Sequence, residues 1–267
     1  MFTVEQRDAL RQRVLGLGEQ DERVVAGAVV GSLAFDEGDR FSDLDLTFGV
    51  ADHMEVAAVL SDWTRTLVDE FDAVPLVDLE RGPITYRVFL LPDALQLDLS
   101  MSRAAQFRPA GPRFRLVFGE TAADEPETPR PVVGDLFIAT PSVPEDIFGW
   151  GVIYAWHARA CIERGRMWQA EHYVGAVRDH ALAIACLREG LGAGQARSYD
   201  DLSAESLARF DRTHVGALEP RTLRAALAAS VLALMQEGAE ARVPHAGVVA
   251  ERLTDIQFDH TEMPRAD

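Results

Sequence analysis

The chain has 267 residues, of which 48% are hydrophobic and 26% are charged, as is ordinary for a globular protein with room for two modest domains. Its formal charge is −17 and it contains no lysine, which argues against a protein that grips a nucleic-acid backbone, because binding phosphates requires a basic surface. The apolar runs are too short to span a bilayer and the N-terminus lacks the features of a secretory signal, so the sequence predicts a cytoplasmic protein with no membrane partner.

The first half of the chain alternates between helical and strand patterns. Thr3 to Gln6 has the pattern of a capping box and precedes a helix that Gly16 and Gly18 are expected to end near Leu17. Apolar runs that are β-branched or alternating then predict strands, and a stripe at helical spacing predicts a second helix. In chain order, the elements predicted after the first helix are strands at 24–30 and 43–50, a helix at 54–71, strands at 74–79, 84–91 and 95–101, and an edge strand at 114–118.

The second half is predicted to be helical. A segment rich in proline and acids at 121–131 predicts an extended linker. Cys161 and Cys186 lie among apolar neighbours, which predicts buried thiols rather than a disulfide. The alanine-rich run 223–234 predicts close helix packing, either within a bundle or at a homodimer contact. Helices are predicted from Pro144 to Gly165 and at 167–191, 204–213, 219–237 and 245–258, with a loose tail after Asp259.

The residues that suggest a chemical function lie in the stretch 24–50. The apolar strand 24–30 leads into Gly31 and Ser32, where a glycine allows close backbone approach and a serine offers a hydroxyl and an N–H to a phosphate. Asp43 and Asp45 follow at alternate positions of the next strand, so both carboxylates are expected on one face. Two hard oxygen ligands there predict a Mg²⁺ site. A plain turn and a solvated strand edge would explain each feature alone, but not their order.

This combination resembles the DNA polymerase β superfamily of nucleotidyltransferases. Within it, Gln20 to Arg23 and Phe41 to Asp43 are most similar to the antibiotic-modifying branch, the streptomycin 6-adenylyltransferases and the lincosamide nucleotidyltransferases. The resemblance covers roughly the first hundred residues and is only topological after them. It implies an α/β (α+β) protein with a nucleotidyltransferase fold, in which a mixed sheet of about five strands is followed by a C-terminal α-helical bundle of about five helices.

The resemblance also implies a set of site residues. Asp43 and Asp45 would hold Mg²⁺ on the triphosphate of ATP or of another nucleoside triphosphate. Gly31, Ser32 and Ser42 would contact the nucleotide.

A third acid is predicted from the alternating segment 95–101, whose one carboxylate is Asp98. It resembles the family's lone acid on the strand beside the Asp-x-Asp strand. Asp98 could hold a second metal or accept the proton of the attacking hydroxyl, and the sequence leaves both roles open. Asp78, in a neighbouring strand, could compete for a catalytic role. The three arginines of 108–115 could cover the triphosphate or belong to a solvated loop.

The predicted helical domain offers candidates for binding an acceptor. Glu171, Gly175 and Arg178 fall at i, i+4 and i+7, so an acid and a base flank a bare patch of backbone. In the resembled architecture the helical domain closes the cleft and supplies acids or the general base, which points to Glu171 and His172. The alternative is a surface salt bridge between Glu171 and Arg178 and a capping or core role for His172.

The sequence therefore predicts a catalytic domain at 1–120, a linker at 121–143 and a helical acceptor-binding domain at 144–260. The resemblance implies an enzyme that transfers a nucleoside monophosphate, AMP from ATP being the first choice, to a hydroxyl of an aminoglycoside or lincosamide and releases pyrophosphate. The acidic composition suits a cationic acceptor, and general solubility explains it equally well. Two alternatives remain: an antitoxin-like enzyme that modifies a protein partner, and a nucleotide-binding module of the same fold without turnover.

Overall fold

A computed structural model describes residues 2–35, 38–109, 113–122 and 143–257. The chain divides into two compact units, Met1–Ile138 and Ala139–Asp267, named unit 1 and unit 2 here. Nearly all of the predicted linker 121–143 lies outside the described residues, and so do the tail after Asp259 and the predicted loop residues Gly111 and Pro112. No helix in the described ranges is both long and apolar enough to cross a membrane.

In its described residues, unit 1 is a six-stranded mixed sheet with two α-helices. The strand order is β3-β4-β5-β2-β1-β6, in which β2 and β5 are parallel and the other neighbouring pairs are antiparallel. The predicted mixed sheet is confirmed, with a sixth strand because the segment after Arg113 pairs with β1. The elements are α1 (Val4–Gln20), β1 (Val24–Val30), β2 (Leu44–Val50), α2 (Val56–Phe71), β3 (Val74–Arg81), β4 (Ile84–Leu90), β5 (Gln96–Arg103) and β6 (Phe114–Phe118).

Helix α1 begins with the predicted capping box. The Gln6 N–H donates to Thr3 Oγ1 at 3.2 Å, and the Thr3 N–H donates to Gln6 Oε1 at 2.7 Å. The prediction that the helix ends near Leu17 is wrong, because α1 continues to Gln20. Gly18 lies inside the helix for a packing reason: a Cβ there would stand 2.7 Å from Cε1 of Phe48. The glycine lets the helix backbone approach the sheet closely.

The core of unit 1 fills one face of the sheet. Leu44, Leu46 and Phe48 of β2 point to that face, where Phe48 meets Trp63 of α2 edge-on at 4.8 Å between ring centroids. Because side chains alternate along a strand, the residues between them lie on the opposite face, away from α1 and α2. The buried side chains that α1, α2 and β5 add to this core are Val14, Leu15, Val59, Leu60, Trp63, Leu67, Leu97, Leu99 and Met101.

Asp21 joins the end of α1 to β1 and α2. Its carboxylate accepts hydrogen bonds from Arg23 Nε at 2.9 Å, from Arg23 Nη2 at 2.8 Å and from Trp63 Nε1 at 2.8 Å. These donors, with Arg23 contributing most, lower the pKa of Asp21 to about 2. The Gln20–Arg23 segment that carries part of the family resemblance therefore has a structural function, because it holds three elements together.

Asp21→Asn should destabilise the protein by about 2 kcal/mol at pH 7, since each unit of depressed carboxyl pKa corresponds to about 1.4 kcal/mol. A depressed folded-state pKa gives stability that is present above the ordinary aspartate pKa and is lost as pH falls through the folded value. The difference between wild type and variant should therefore shrink between about pH 4 and about pH 2. Urea denaturation at pH 7 and at pH 3 measures the difference in free energy of unfolding between the two proteins. A difference that does not depend on pH would contradict this account.

Unit 2 consists of helices in its described residues, as the sequence predicts. Helix α5 is shorter than the predicted segment 204–213, and α6 extends three residues beyond 237. Cys161 and Cys186 are buried free thiols, as predicted, and burial raises the pKa of each. The alanine-rich part of α6 packs against α3 and α4, so close packing within unit 2 is confirmed and a homodimer contact stays a prediction. The helices are α3 (Pro144–Glu163), α4 (Met167–Arg188), α5 (Ala204–Ala208), α6 (Pro220–Glu240) and α7 (Ala246–Gln257).

A buried carboxylate joins three of these helices. Glu237 on α6 is 0% exposed and accepts from Arg188 Nε of α4 at 2.9 Å and from Arg209 Nη1, just after α5, at 2.8 Å. Glu240, one turn further along α6, pairs with the same two arginines at 3.3 Å and 2.7 Å but is 42% exposed. The two glutamates thus share their partners and differ in burial.

Glu237→Gln should lower the free energy of unfolding by about 3–5 kcal/mol, because the change leaves two guanidinium groups without their buried counter-charge. Glu240→Gln is the matched control and should cost about 1 kcal/mol or less, since an exposed ion pair contributes little. Urea denaturation followed by circular dichroism gives both values. Equal losses in the two variants would show that burial does not set the strength of this network.

Candidate functional site

Three aspartates come together on the face of the sheet opposite α1 and α2. Asp45 of β2 lies beside Asp98 of β5 in the parallel register. Asp43 stands one residue before β2 begins at Leu44, so the predicted strand start at Asp43 is wrong by one residue, although Asp43 still reaches the same place. One carboxylate oxygen from each of the three lies within 4.8 Å of the other two, and each residue is partly exposed.

The electrostatics of this cluster favour a cation. Burial, followed by repulsion from Asp43 and then from Asp98, raises the pKa of Asp45 well above its ordinary value. Three carboxylates this close repel one another unless a positive charge joins them. Hard oxygen donors in such a group suit Mg²⁺, which binds through a few carboxylates and keeps positions open for phosphate oxygens. The donor set therefore fits the metal that the family resemblance implies.

Gly31 brings the backbone against this cluster. Its φ is +70°, which side-chain-bearing residues rarely adopt, and a Cβ at this position would stand 2.3 Å from Oδ2 of Asp45. The Gly31 N–H donates to the Arg113 carbonyl at 3.2 Å. The short 3-10 turn Gly31–Phe35 follows and places Ser32, partly exposed, next in the chain. The sequence singles out this glycine, but its contact with Asp45 appears only in three dimensions.

Ser42 closes the turn before Asp43. Its hydroxyl donates to Asp39 Oδ1 at 3.1 Å and accepts from the Asp39 N–H at 3.0 Å, and the residue is buried. These bonds use the hydroxyl within the turn. Nucleotide binding by Ser42, like that by Gly31 and Ser32, stays a prediction.

Gln96 is a neighbour of the cluster that sequence reasoning missed. It is buried on β5, and its Nε2 donates to Asp98 Oδ1 at 2.8 Å. The bond fixes one oxygen of that carboxylate. Gln96 and Asp98 are two apart on a strand and so share a face, which the alternation of this segment already indicated.

Asp78 lies apart from the cluster. It stands opposite Arg87 in the β3–β4 pair, and Arg87 Nε donates to its Oδ1 at 2.6 Å. Arg87 also donates to Thr64 Oγ1 of α2 at 2.7 Å, so this pair lies on the helix-covered face of the sheet. The Asp45 side chain points to the other face. The expectation that Asp78 could compete for a catalytic role is therefore wrong on geometric grounds.

Two of the arginines in the segment 108–115 have definite contacts. Arg115 Nη2 donates to the Leu33 carbonyl at 3.3 Å and so reaches the Gly31–Phe35 turn, whereas Arg108 Nη2 donates to the Ala105 carbonyl at 3.2 Å. Their two suggested roles, covering a triphosphate or forming a solvated loop, both stay predictions.

The acceptor candidates of unit 2 lie on α4. Arg178 Nε donates to Asp179 Oδ1 at 3.0 Å, so the suggested Glu171–Arg178 salt bridge is replaced by a pair with the adjacent residue. His172 is exposed, with its ring centroid 5.3 Å from that of Tyr173, and is therefore not a core residue. A Cβ at Gly175 would meet Arg178 Nη2 only at 3.6 Å. Acceptor binding by these residues stays a prediction.

A cluster of rings joins α3 and α4 in unit 2. Tyr154 stacks on Tyr173 at 5.8 Å between centroids, and His180 meets Tyr154 edge-on at 5.1 Å. Burial lowers the pKa of His180, whose Nδ1 lies 2.8 Å from the Ala176 carbonyl, so the neutral ring donates from Nδ1. Trp150 and His157 extend the cluster at i−4 and i+3 from Tyr154. The α3 members of the cluster are three or four residues apart and so share one face of the helix.

No protein-family model and no curated protein matches the sequence. Among solved structures, the chain is similar to an aminoglycoside 6-adenyltransferase from Bacillus subtilis, with 13% identity, 96% of this chain and 98% of that chain covered, and a TM-score of 0.34. A TM-score this low transfers neither fold nor activity to this chain, so the candidate site depends on its own geometry.

The raised pKa of Asp45 gives a stability effect of defined sign. A carboxyl with a raised folded-state pKa contributes stability at low pH that is lost as pH rises through that pKa, so at pH 8 Asp45 should destabilise the metal-free protein. Asp45→Asn should therefore raise the melting temperature of unit 1 in EDTA at pH 8 by a few degrees, about 4 °C for each kcal/mol. Mg²⁺ should stabilise the wild type and not the variant.

The control for this test is Asp78→Asn, which removes a carboxylate from the other face of the same sheet. Because that carboxylate has Arg87 as its partner, its loss should lower the melting temperature and leave the response to Mg²⁺ intact. Calorimetry of the three proteins with and without Mg²⁺ makes the comparison. An Asp45→Asn protein that is less stable than wild type in EDTA would contradict the electrostatic account.

Proposed function

We propose that this protein is a Mg²⁺-dependent nucleotidyltransferase that moves AMP from ATP onto a hydroxyl of a small molecule and releases pyrophosphate. The observation that supports it most is the cluster of Asp43, Asp45 and Asp98 beside the Gly31–Ser32 turn. Residues 1–120 are the proposed catalytic domain, 121–143 the linker and 144–260 the acceptor-binding domain.

Asp43 and Asp45 would hold Mg²⁺ through one oxygen each, and their separation supports this role. When bound, Mg²⁺ would neutralise charge on the triphosphate while the α-phosphorus is transferred from pyrophosphate to the acceptor. In that exchange the acceptor oxygen forms a bond to the α-phosphorus, the bond from this phosphorus to the pyrophosphate oxygen breaks, and the hydroxyl proton leaves the acceptor. The two aspartates thus orient the triphosphate for in-line attack.

Asp98 has two proposed roles. Gln96 orients its carboxylate, which would either ligate a second metal or accept the hydroxyl proton. A base titrates in the pH profile of turnover, whereas a ligand changes the dependence of turnover on metal concentration. Asp98→Asn separates the two: loss of the acidic limb of the profile identifies the base, and a raised half-saturating Mg²⁺ concentration identifies the ligand.

The backbone at Gly31 and the hydroxyl of Ser32 are the proposed contacts for the triphosphate. A glycine at φ +70° has no Cβ between its backbone and the cluster, and the turn lies against Asp45, so phosphate and metal would meet at one place. Arg115 donates to the Leu33 carbonyl of the same turn, so its positive charge would lie near the bound phosphates.

The proposed acceptor is a cationic antibiotic of the aminoglycoside or lincosamide class. The formal charge of −17 supports a cationic acceptor, because it favours association with positively charged molecules. Glu171, His172 and Arg178 on α4 are the proposed acceptor contacts. The alternatives to an antibiotic acceptor are a protein acceptor and nucleotide binding without turnover.

The experiment incubates the full chain with Mg²⁺, nucleoside triphosphates and a panel of aminoglycosides and lincosamides. Pyrophosphate release and a mass gain of one nucleotidyl group on an acceptor are expected. Asp43→Asn should reduce turnover by at least about 100-fold, as removal of one strong electrostatic contact to a transition state does.

Asp78→Asn is the matched control and should keep turnover within about twofold of wild type, since this aspartate lies on the opposite face. Metal-dependent ATP binding without any modified acceptor would overturn the antibiotic proposal and favour a protein acceptor or a binding module. Equal turnover in Asp43→Asn and wild type would remove the aspartate cluster from the mechanism.

A further inference from the structure

The three aspartates are not held in place by the same means. Asp45 and Asp98 belong to strands, and the hydrogen-bond ladder between β2 and β5 fixes their backbone. Asp43 precedes the first residue of β2, so its position depends on the turn Asp39–Ser42 that leads into the strand. A metal site needs all of its ligands fixed within a fraction of an ångström. The turn is therefore the adjustable part of the cluster.

Within this turn, the Ser42 N–H donates to the Asp39 carbonyl at 3.1 Å and the Phe41 N–H donates to Asp39 Oδ1 at 2.9 Å. Two of its carbonyl groups have a partner from elsewhere in the chain. Arg7 Nη1 of α1 donates to the Asp39 carbonyl at 2.6 Å and to the Ser42 carbonyl at 3.4 Å. One guanidinium nitrogen thus bridges the first and last residues of the turn, directly before Asp43.

The burial of Arg7 indicates that this contact matters. The residue is 3% exposed although arginine is seldom fully buried, and its Nε lies 3.5 Å from Oδ1 of the adjacent Asp8. Taking a guanidinium out of water is costly unless its hydrogen bonds replace hydration. The buried apolar side chains of α1 are Val14 and Leu15, about two turns further on, so helix packing alone does not require an arginine here.

We infer that Arg7 is a positioning residue that holds the turn Asp39–Ser42 and thereby sets the place of the Asp43 carboxylate. The inference depends on the proposed function only in taking the aspartate cluster as a metal site. Arg7 touches no reacting atom in this account and acts through the carbonyl groups of Asp39 and Ser42. It would tune how tightly the cluster binds a divalent cation.

Arg11 offers a matched control on the same helix. It lies one turn beyond Arg7 and pairs with the same Asp8, with Arg11 Nη2 3.6 Å from Asp8 Oδ1. In the described part of the chain, it has no hydrogen bond to the turn. Arg7→Met and Arg11→Met therefore remove equal charge and similar volume from one helix, and only the first removes the bridge across the turn.

The test measures binding of Mn²⁺, as a probe for Mg²⁺, to the full chain by calorimetry, together with amide hydrogen exchange of residues 38–43 without metal. Arg7→Met should weaken Mn²⁺ binding by about 10-fold or more, the usual effect of losing a residue that orients a ligand. It should also speed exchange at Ser42 and Phe41. Arg11→Met should change neither measurement by more than about twofold.

Arg7→Lys is the second variant, in case Arg7→Met fails to fold. A single ammonium group keeps the charge but bridges two carbonyl groups less well, so Mn²⁺ binding should fall between wild type and Arg7→Met. If wild type binds Mn²⁺ and both Arg7 variants bind it equally well, the role of Arg7 is wrong and the metal site stands. If wild type binds no Mn²⁺, the metal site fails and this inference fails with it.

Discussion

The parallel pairing of β2 with β5 is the constraint on which the site depends. The register sets Leu44 beside Leu97 and Leu46 beside Leu99, and both leucine pairs are buried under α1 and α2. The residues between them must then face the other way, which puts Asp45 beside Asp98. A slip of one residue in either strand would place a carboxylate in the core and a leucine at the site. Burial of the core thus fixes the positions of Asp45 and Asp98, and no further contact is needed to place their backbone.

The site opposes folding to some extent. The pKa of Asp45 is raised because the folded chain removes this carboxylate from water and sets two like charges beside it. Stability must come from elsewhere, and the well-paired charges lie away from the cluster. Asp21, between α1, β1 and α2, and Glu237, between two arginines of unit 2, are the clearest cases. Asp21 joins elements within unit 1 and Glu237 joins helices within unit 2, whereas the three aspartates of the cluster gather where a cation can join them.

The sequence was sufficient for the features that depend on local pattern. Alternation predicts that Asp43 and Asp45 share a face. The family resemblance, rather than alternation, implied that Asp98 would join them. The long helices follow from apolar spacing, and Thr3 with Gln6 follows from the capping box. These signals lie within a few residues of one another. No knowledge of distant contacts is needed to interpret them.

Features that depend on distant contacts could not be anticipated. Arg7 is separated from the turn it bridges by more than thirty residues, and a helical arginine ordinarily suggests a solvated surface. The face of Asp78 depends on its register with Arg87 across a strand pair that contains an irregularity. The length of α1 was misjudged because Gly18 signals a helix end in isolation, whereas its small size serves the packing of Phe48. In each case tertiary packing overrides a local signal.

The contact between Gly31 and Asp45 has a consequence for how such chains can diverge. The space that a side chain at position 31 would need is already filled by Oδ2 of Asp45, and the backbone there holds φ at +70°. A larger residue at one position is tolerated only after a smaller one appears at the other and the turn changes its conformation. A chain that carries a mutation at only one of the two positions would have a damaged site. Among related sequences, the two positions should therefore be inherited as a pair, with loss of the glycine confined to lineages that have also lost the aspartate.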